Sequence, residues 1–181
     1  MNLKPQDIVV LLKLLVLNRS KWSYNTMGYE LGLSPSQVHS AVKRCAQARL
    51  LTSSTSQPEP IVSNIKELIL HGLKYLCVPK QGEQTRGMPT SWAAAPLKSY
   101  FRSNDLPPVW PDPEGTVRGF SFEPIHKSAI QAAKSDPELY ELLVLIDAIR
   151  EGRAREKKIA TELLEDKFKA LVKKTNAKKQ S

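Results

Sequence analysis

Hydroxyl, amide, imidazole and cationic side chains alternate with apolar ones in one short stretch of this chain. The apolar residues Val38, Ala41, Val42 and Cys45 recur at the spacing of one helix face, which places the polar residues on the opposite, exposed face. These polar residues are Ser34, Ser36, Gln37, His39, Ser40, Lys43 and Arg44. Short polar groups and cations on an exposed helix can hydrogen-bond base edges in a DNA major groove and hold backbone phosphates. The pattern therefore indicates a helix that could contact duplex DNA.

Each of these side chains suits a particular contact. Three uncharged side chains suit base edges, namely Ser36, Gln37 and Ser40. Lys43 and Arg44 suit phosphates or guanine, and His39 suits either kind of contact.

The residues before this helix predict a tight corner with a preceding helix at residues 24–31. Gly32 can take the positive φ that ends the first helix, and Gly28 allows the two backbones to approach closely. Ser34 is suited to the N-cap, Pro35 to the first helical position and Gln37 to the third, which completes a capping box. The alternative to a DNA-binding corner is an ordinary helical hairpin with a well-capped second helix.

The flanking segments predict a third helix and a small β wing. Residues 5–17 carry apolar residues at helical spacing, and the run is too short for a membrane span and is interrupted by Lys13. Residues 49–52 and 61–63 favour short strands on either side of a polar, proline-bearing tip at 53–60.

Residues 5–63 resemble the winged helix-turn-helix of MarR-like bacterial transcriptional regulators. The resemblance implies a recognition helix at 34–48, a supporting helix at 24–31 and a wing tip at 53–57. MarR-like wings carry a basic residue at the tip, whereas this tip offers hydroxyl groups, and Ser54 and Thr55 are its candidate phosphate contacts. The resemblance also implies a homodimer that engages two half-sites.

Composition favours a polyanionic partner. Lys and Arg number 27 against 18 Asp and Glu, which gives a net charge of +9. The start of the chain has no signal-peptide pattern, which predicts a cytoplasmic protein with no membrane association. His39, His71 and His126 are widely separated, and neither metal-ligand spacings nor a phosphate-binding glycine loop occurs in the sequence. We therefore expect no enzyme activity, no cofactor and no metal.

The middle of the chain differs in composition from both ends. Eight of the 13 prolines lie from Pro79 to Pro124, together with several large aromatic residues. We expect a turn and short helix over 87–97, extended chain over 105–111 and one short strand over 116–122. These aromatic residues could form a packing layer over the C-terminal helices. They could instead form a groove for a small effector near Trp92 and Trp110, or for a protein partner that favours proline.

The remaining segments predict helices. A capping box from Asn64 to Glu67 would open a helix that closes the winged domain, and Asp136 with Pro137 would open the last helical region. The pattern of that region fits two helices and one helix kinked at Gly152 equally well. Its apolar stripes could form a dimer surface or pack within the chain, and the sequence leaves both open.

The sequence thus predicts a mainly α fold with a small β wing. The expected parts are a winged helix-turn-helix domain at 1–78, a proline- and aromatic-rich connecting layer at 79–134 and C-terminal helices at 135–181. The expected function is sequence-specific binding of double-stranded DNA by a cytoplasmic, homodimeric regulator. The alternatives are a protein-interaction or antitoxin-like accessory factor that docks a protein partner, and a repressor that responds to a small molecule.

Overall fold

The chain forms mainly α-helices together with one small three-stranded sheet. The computed structural model describes residues 2–18, 20–53 and 57–180. The α-helices are α1 (Pro5–Leu17), α2 (Tyr24–Leu31), α3 (Pro35–Gln47), α4 (Val62–Glu67), α5 (Leu73–Leu76), α6 (Ser128–Ser135), α7 (Pro137–Glu151) and α8 (Ala154–Gln180). The strands are β1 (Gln81–Pro89), β2 (Pro108–Pro111) and β3 (Val117–Phe122). In the described part of the chain, no helix combines the length and apolar character that crossing a membrane requires.

Helix α1 lies at the centre of the fold. Its residues from Asp7 to Leu15 are all buried, because α3 packs against it on one side and α6 and α7 on another. A helix that is apolar around its whole circumference is typical of such a central position. One hydrophobic core therefore contains residues from all three predicted segments.

Lys13 is buried in α1 and forms ion pairs with two other helices. Its Nζ lies 2.6 Å from a Glu30 carboxylate oxygen in α2 and 2.7 Å from one of Asp136 at the start of α7. Burial acts to lower the pKa of Lys13, but the hydrogen bonds and charges of Asp136 and Glu30 outweigh it and raise the pKa. The residue that interrupts the apolar run in the sequence thus connects the N-terminal helices to the C-terminal ones.

The sheet differs from the prediction for the middle segment. β1 pairs antiparallel with both β2 and β3, and β2 and β3 pair parallel to each other. The expected strand at 116–122 is present, but β1 was not predicted, and its last residues, 87–89, lie where a turn was expected. At Gly87 a Cβ atom would lie 2.0 Å from the Trp110 carbonyl oxygen, so a glycine is needed where the strands converge. β1 was missed because its sequence is polar and lacks the alternation of a half-buried strand.

The predicted wing strands are reduced to one antiparallel bridge between Leu51 and Pro60. The amide of Thr52 donates to the carbonyl oxygen of Glu59 at 2.8 Å, next to this bridge. Proline residues in the returning segment lack the N–H groups that a longer ladder would need. The wing-tip candidates Ser54 and Thr55 lie outside the described residues.

The predicted capping box at Asn64 is wrong. Helix α4 starts at Val62, and the Asn64 side-chain amide donates to the Arg49 carbonyl oxygen at 2.7 Å instead of capping a helix. The helical path continues through a π-helical turn at Leu68–Gly72 into α5. The longer helix expected here is therefore present with an earlier start and a local widening.

The C-terminal region forms two long helices. Asp136 caps α7 as predicted, with its carboxylate accepting from the Leu139 amide at 3.1 Å, while the preceding α6 was missed. Most of α7 is buried, and α8 packs against it, with Ala160, Leu164 and Phe168 of α8 buried in the core. The sequence left open whether the apolar stripes of these helices form a dimer surface or pack within the chain. In the structure they pack within the chain.

Asp147 in α7 is buried and connects this helix to the sheet. Its carboxylate accepts hydrogen bonds at 2.7 Å from the Thr90 hydroxyl and from the Trp110 indole N–H. The Arg150 guanidinium, one turn later, completes a buried ion pair at 2.7 Å. Trp110 is thus a packed and hydrogen-bonded core residue.

Candidate nucleic-acid interface

The corner between α2 and α3 is formed by two glycines. Gly32 has φ 64°, the left-handed conformation that ends α2, as predicted. At Gly28 a Cβ atom would lie 2.6 Å from the Leu33 carbonyl oxygen, so the absence of a side chain is what allows the chain to turn this tightly. The Gln131 side-chain amide of α6 donates to the Tyr29 carbonyl oxygen at 3.1 Å and supports the end of α2. The corner is therefore stabilised both by the close approach of α2 to the start of α3 and by a hydrogen bond from α6.

The predicted capping box at the start of α3 is confirmed. The Ser34 hydroxyl accepts from the Gln37 amide N–H at 3.2 Å, and the Gln37 side-chain oxygen accepts from the Ser34 amide N–H at 2.8 Å. Pro35 occupies the first helical position. Because its oxygen is engaged in this way, Gln37 presents its Nε2 amino group as the part available to a ligand. The Ser34 hydroxyl also lies 3.1 Å from that of Ser36.

α3 has the two faces that the sequence predicts. Val38, Ala41, Val42 and Cys45 are buried against the core. The exposed residues are Ser34, Ser36, Gln37, His39, Ser40 and Lys43. A contiguous polar surface therefore extends along most of the helix.

The His39 ring is held against the rest of the domain by aromatic contacts. Its centroid lies 5.3 Å from that of Tyr24, which in turn lies 5.1 Å from that of Trp22 in an edge-on arrangement. The Gln57 side-chain amide donates to the Trp22 carbonyl oxygen at 3.1 Å. Gln57, at the described end of the predicted wing tip, is thus attached to the same cluster of rings as His39 on the exposed face of α3.

Arg44 has a different position from the one that the sequence suggests. Its Nε and Nη2 atoms donate to the two carboxylate oxygens of Asp7 in α1, at 2.7 and 2.6 Å, and its side chain is only 17% exposed. Asp7 is fully buried, and a buried carboxylate needs a cationic or hydrogen-bonding partner. The predicted phosphate or guanine contact of Arg44 therefore does not match this geometry, in which Arg44 attaches α3 to α1.

Two cations near the interface were missed. Lys21, in the segment before α2, and Arg49, directly after α3, are exposed and have no ion-pair partner among the residues that the structure describes. The excess of Lys and Arg over Asp and Glu in the first 60 residues could have indicated these two cations. Once Lys13 and Arg44 are paired with acids, the unpaired cations of this part of the chain lie at its surface and favour a polyanion.

Comparisons with protein-family models, curated proteins and solved structures found no match.

The nucleophilic and titratable residues near this surface are engaged in the core or lie apart. Cys45 is fully buried, and this burial raises the pKa of its thiol to about 12. The His126 Nδ1 atom lies 2.8 Å from the Ser128 hydroxyl oxygen, and burial lowers the pKa of this histidine. His71 lies at the surface, 3.8 Å from Glu67. Within the described ranges, no group of His, Cys, Asp and Glu side chains is arranged to hold a metal ion.

Proposed function

We propose that this protein is a sequence-specific double-stranded DNA-binding regulator that acts in the cytoplasm. The observation that carries the proposal is the exposed polar face of α3, presented by a corner that is capped and supported on both sides. A helix of this kind fits the major groove, which is about 12 Å wide. The resemblance to MarR-like regulators supports the same assignment.

The side chains of α3 divide between base edges and phosphates. The Gln37 amino group and the hydroxyls of Ser36 and Ser40 are donors or acceptors of the size that base edges require. Lys43 is exposed at a later turn, where it can hold a phosphate, and Lys21 and Arg49 extend this role to the flanking segments. Arg44 acts indirectly, by holding α3 in place against Asp7.

We include a homodimer in the proposal because a two-fold protein gains affinity from two half-sites. The inner stripes of α7 and α8 are packed within one chain, so the dimer contact would use another surface. Light scattering on the purified protein, followed by a footprint on the selected DNA, distinguishes one half-site from two.

Selection from a pool of randomised duplexes, followed by titration of the enriched sequence, tests the function. Lys43→Ala is expected to weaken binding and to reduce the slope of log K against log salt by about 1, since one phosphate contact is lost. Lys158→Ala is the matched control, because Lys158 is an exposed lysine of α8 and the net charge falls equally. Gln37→Ala is expected to relax specificity at one base pair, worth about 1–3 kcal/mol.

Two results would contradict the proposal. One is failure of the pool to enrich any sequence. The other is an identical affinity and salt slope for the Lys43 and Lys158 variants, which would show that the charge of the whole chain, and not α3, attracts DNA.

One observation favours a second candidate function, the docking of a protein partner. Tyr75, Leu76 and Val78 are 73%, 64% and 64% exposed, a cluster of apolar side chains at the end of α5. Such clusters are typical of protein interaction sites. If no DNA sequence is enriched, a partner purified with the chain should be lost when Tyr75 and Leu76 are replaced by serine, and its retention would exclude this surface.

A further inference from the structure

A cleft of about 710 Å³ opens between β3, the segment 91–108 and the turn that joins α7 to α8. Its apolar wall is aromatic, with Trp92, Phe101 and Phe120 among the lining residues, and Phe120 is 47% exposed. A hollow of about 450 Å³ adjoins it and shares Trp92 and Phe101. The volume lies in the range of small-molecule sites, and exposed aromatic faces provide stacking surfaces.

Three arginines surround this aromatic wall. The Arg155 guanidinium carbon lies 5.7 Å from the centre of the Phe101 ring, which holds this cation beside the cleft. Arg153 lies 3.8 Å from Asp105, with both side chains largely exposed. Arg102 has no acidic partner in the part of the chain that the structure covers. Guanidinium groups placed in this way suit the oxygens of a phosphate.

Acidic groups give the cleft a mixed polarity. Asp105, Glu151 and Glu156 also line it, and the Glu156 carboxylate accepts from the Arg153 amide N–H at 3.0 Å. A bare anion would be repelled by these carboxylates. A ligand that combines a phosphate with hydroxyl and amino donors is complementary to both kinds of charge.

Ser91 provides an independent indication of a ligand. It is only 3% exposed, has φ 51° and lines the cleft. Its hydroxyl makes no hydrogen bond to any described residue. Since every fully buried side-chain polar atom among the described residues has a partner, this hydroxyl keeps some exposed area, and Ser91 is a lining residue of the cleft. The hydroxyl of the preceding residue, Thr90, donates to the buried Asp147 carboxylate at 2.7 Å, so the residue next to Ser91 is attached to α7. Left-handed non-glycine residues of this kind cluster at ligand sites.

We propose that the cleft binds a nucleotide. The base stacks on the aromatic wall formed by Trp92 and Phe120, and the guanidinium groups of Arg102 and Arg155 hold the phosphate. The Ser91 hydroxyl and the carboxylates bond the sugar hydroxyls and base amino groups. A free mononucleotide and the terminal nucleotide of a single strand share this chemistry. The inference does not depend on duplex binding by α3.

Calorimetric titration of the full chain tests the proposal with AMP, GMP, CMP and UMP, with the matching nucleosides and with inorganic phosphate. We expect saturable binding of at least one nucleotide and binding of its nucleoside that is at least about tenfold weaker. Arg102→Ala is expected to weaken binding by about tenfold or more. Arg86→Ala, the removal of an exposed arginine outside the cleft, is expected to change the affinity less than about twofold. Thermal unfolding of both variants confirms that they fold.

The fluorescence of Trp92 gives a second readout at the site itself. Ligand binding should quench emission in the natural chain, and Trp92→Phe should remove the quenching while calorimetry still detects binding. A 5′-phosphorylated trinucleotide that binds about tenfold more tightly than the mononucleotide identifies a strand end as the ligand, and equal affinity identifies the free nucleotide. Failure of every nucleotide to bind at up to about 1 mM, or equal affinity of the Arg102 and Arg86 variants, would overturn the proposal.

Discussion

Replacing Arg44 with alanine is expected to destabilise the contact between α1 and α3 without removing a phosphate contact. In the native chain the Asp7 carboxylate is fully buried and accepts from Arg44 at 2.7 and 2.6 Å and from the Lys4 amide N–H at 2.8 Å. The substitution leaves only the last of these donors. Removing one partner of a buried ion pair costs about 3–5 kcal/mol. Because the Arg44 side chain is 17% exposed, water can partly replace it, and we expect about 3 kcal/mol.

Urea unfolding followed by circular dichroism measures this loss as a lower midpoint at an unchanged slope. For a chain of this size each kcal/mol corresponds to about 2–4 °C, so the melting temperature should fall by about 6–12 °C. Arg49→Ala is the matched control, since Arg49 is exposed and should change stability by less than about 0.5 kcal/mol. The double replacement of Asp7 and Arg44 by alanine should cost less than the sum of the single replacements, because the two residues act as a pair.

Two outcomes would refute this reasoning. An Arg44→Ala variant as stable as the Arg49→Ala control would mean that the ion pair with Asp7 contributes nothing. A folded Arg44→Ala variant that lowers the salt slope of DNA binding as much as Lys43→Ala does would mean that Arg44 reaches a phosphate when DNA is bound.

Four further predictions concern the corner and the core. Gly28→Ala places a methyl group 2.6 Å from the Leu33 carbonyl oxygen, and the resulting strain of about 1–3 kcal/mol should exceed the gain in helix propensity of about 1 kcal/mol. Urea unfolding should therefore show a lower free energy of unfolding, and a stabilised variant would show that the corner can open. Asp147→Ala leaves the Trp110 indole N–H and the other buried donors without their acceptor, which should lower the free energy of unfolding by about 3–5 kcal/mol and change the near-ultraviolet circular dichroism. An unchanged spectrum together with an unchanged urea midpoint would contradict this prediction. The thiol of Cys45 should resist a disulfide reagent at pH 8 until urea unfolds the chain, and rapid native labelling would be the contrary result. Because folding raises its pKa from 9.0 to about 12, its contribution to stability is fully present below pH 9 and should be lost as the pH rises towards 12.

The α2–α3 corner could be predicted because every signal for it is local. Gly32, Ser34, Pro35 and Gln37 act on atoms within a few residues of themselves, so the sequence contains the whole motif. The same holds for Asp136 at the start of α7. Cap chemistry of this kind needs no knowledge of the tertiary fold.

The contacts that were not predicted join residues that are far apart in the sequence. Arg44 follows Asp7 by 37 positions, and Asp136 follows Lys13 by 123, so no local pattern marks either pair. β1 was missed for a related reason, since its polar residues become a strand only through pairing with β2 and β3. Glu156 is another example of a position that was not predicted, since it is only 8% exposed and its carboxylate accepts from the Arg153 amide N–H just before α8.

Charged contacts, more than apolar ones, fix the position of α3 relative to the core. Apolar packing is less directional than a hydrogen bond, so the small buried side chains of α3 define its alignment with α1 less strictly. The two hydrogen bonds from Arg44 to Asp7 allow only one alignment, because a shift of one residue would leave a buried carboxylate without its partner. Lys13 fixes α1 to α7 in the same way through Asp136. A helix that reads base edges, the role proposed for α3, must be held to within about 0.5 Å. These two ion pairs restrict the position of α3 from outside its exposed polar face.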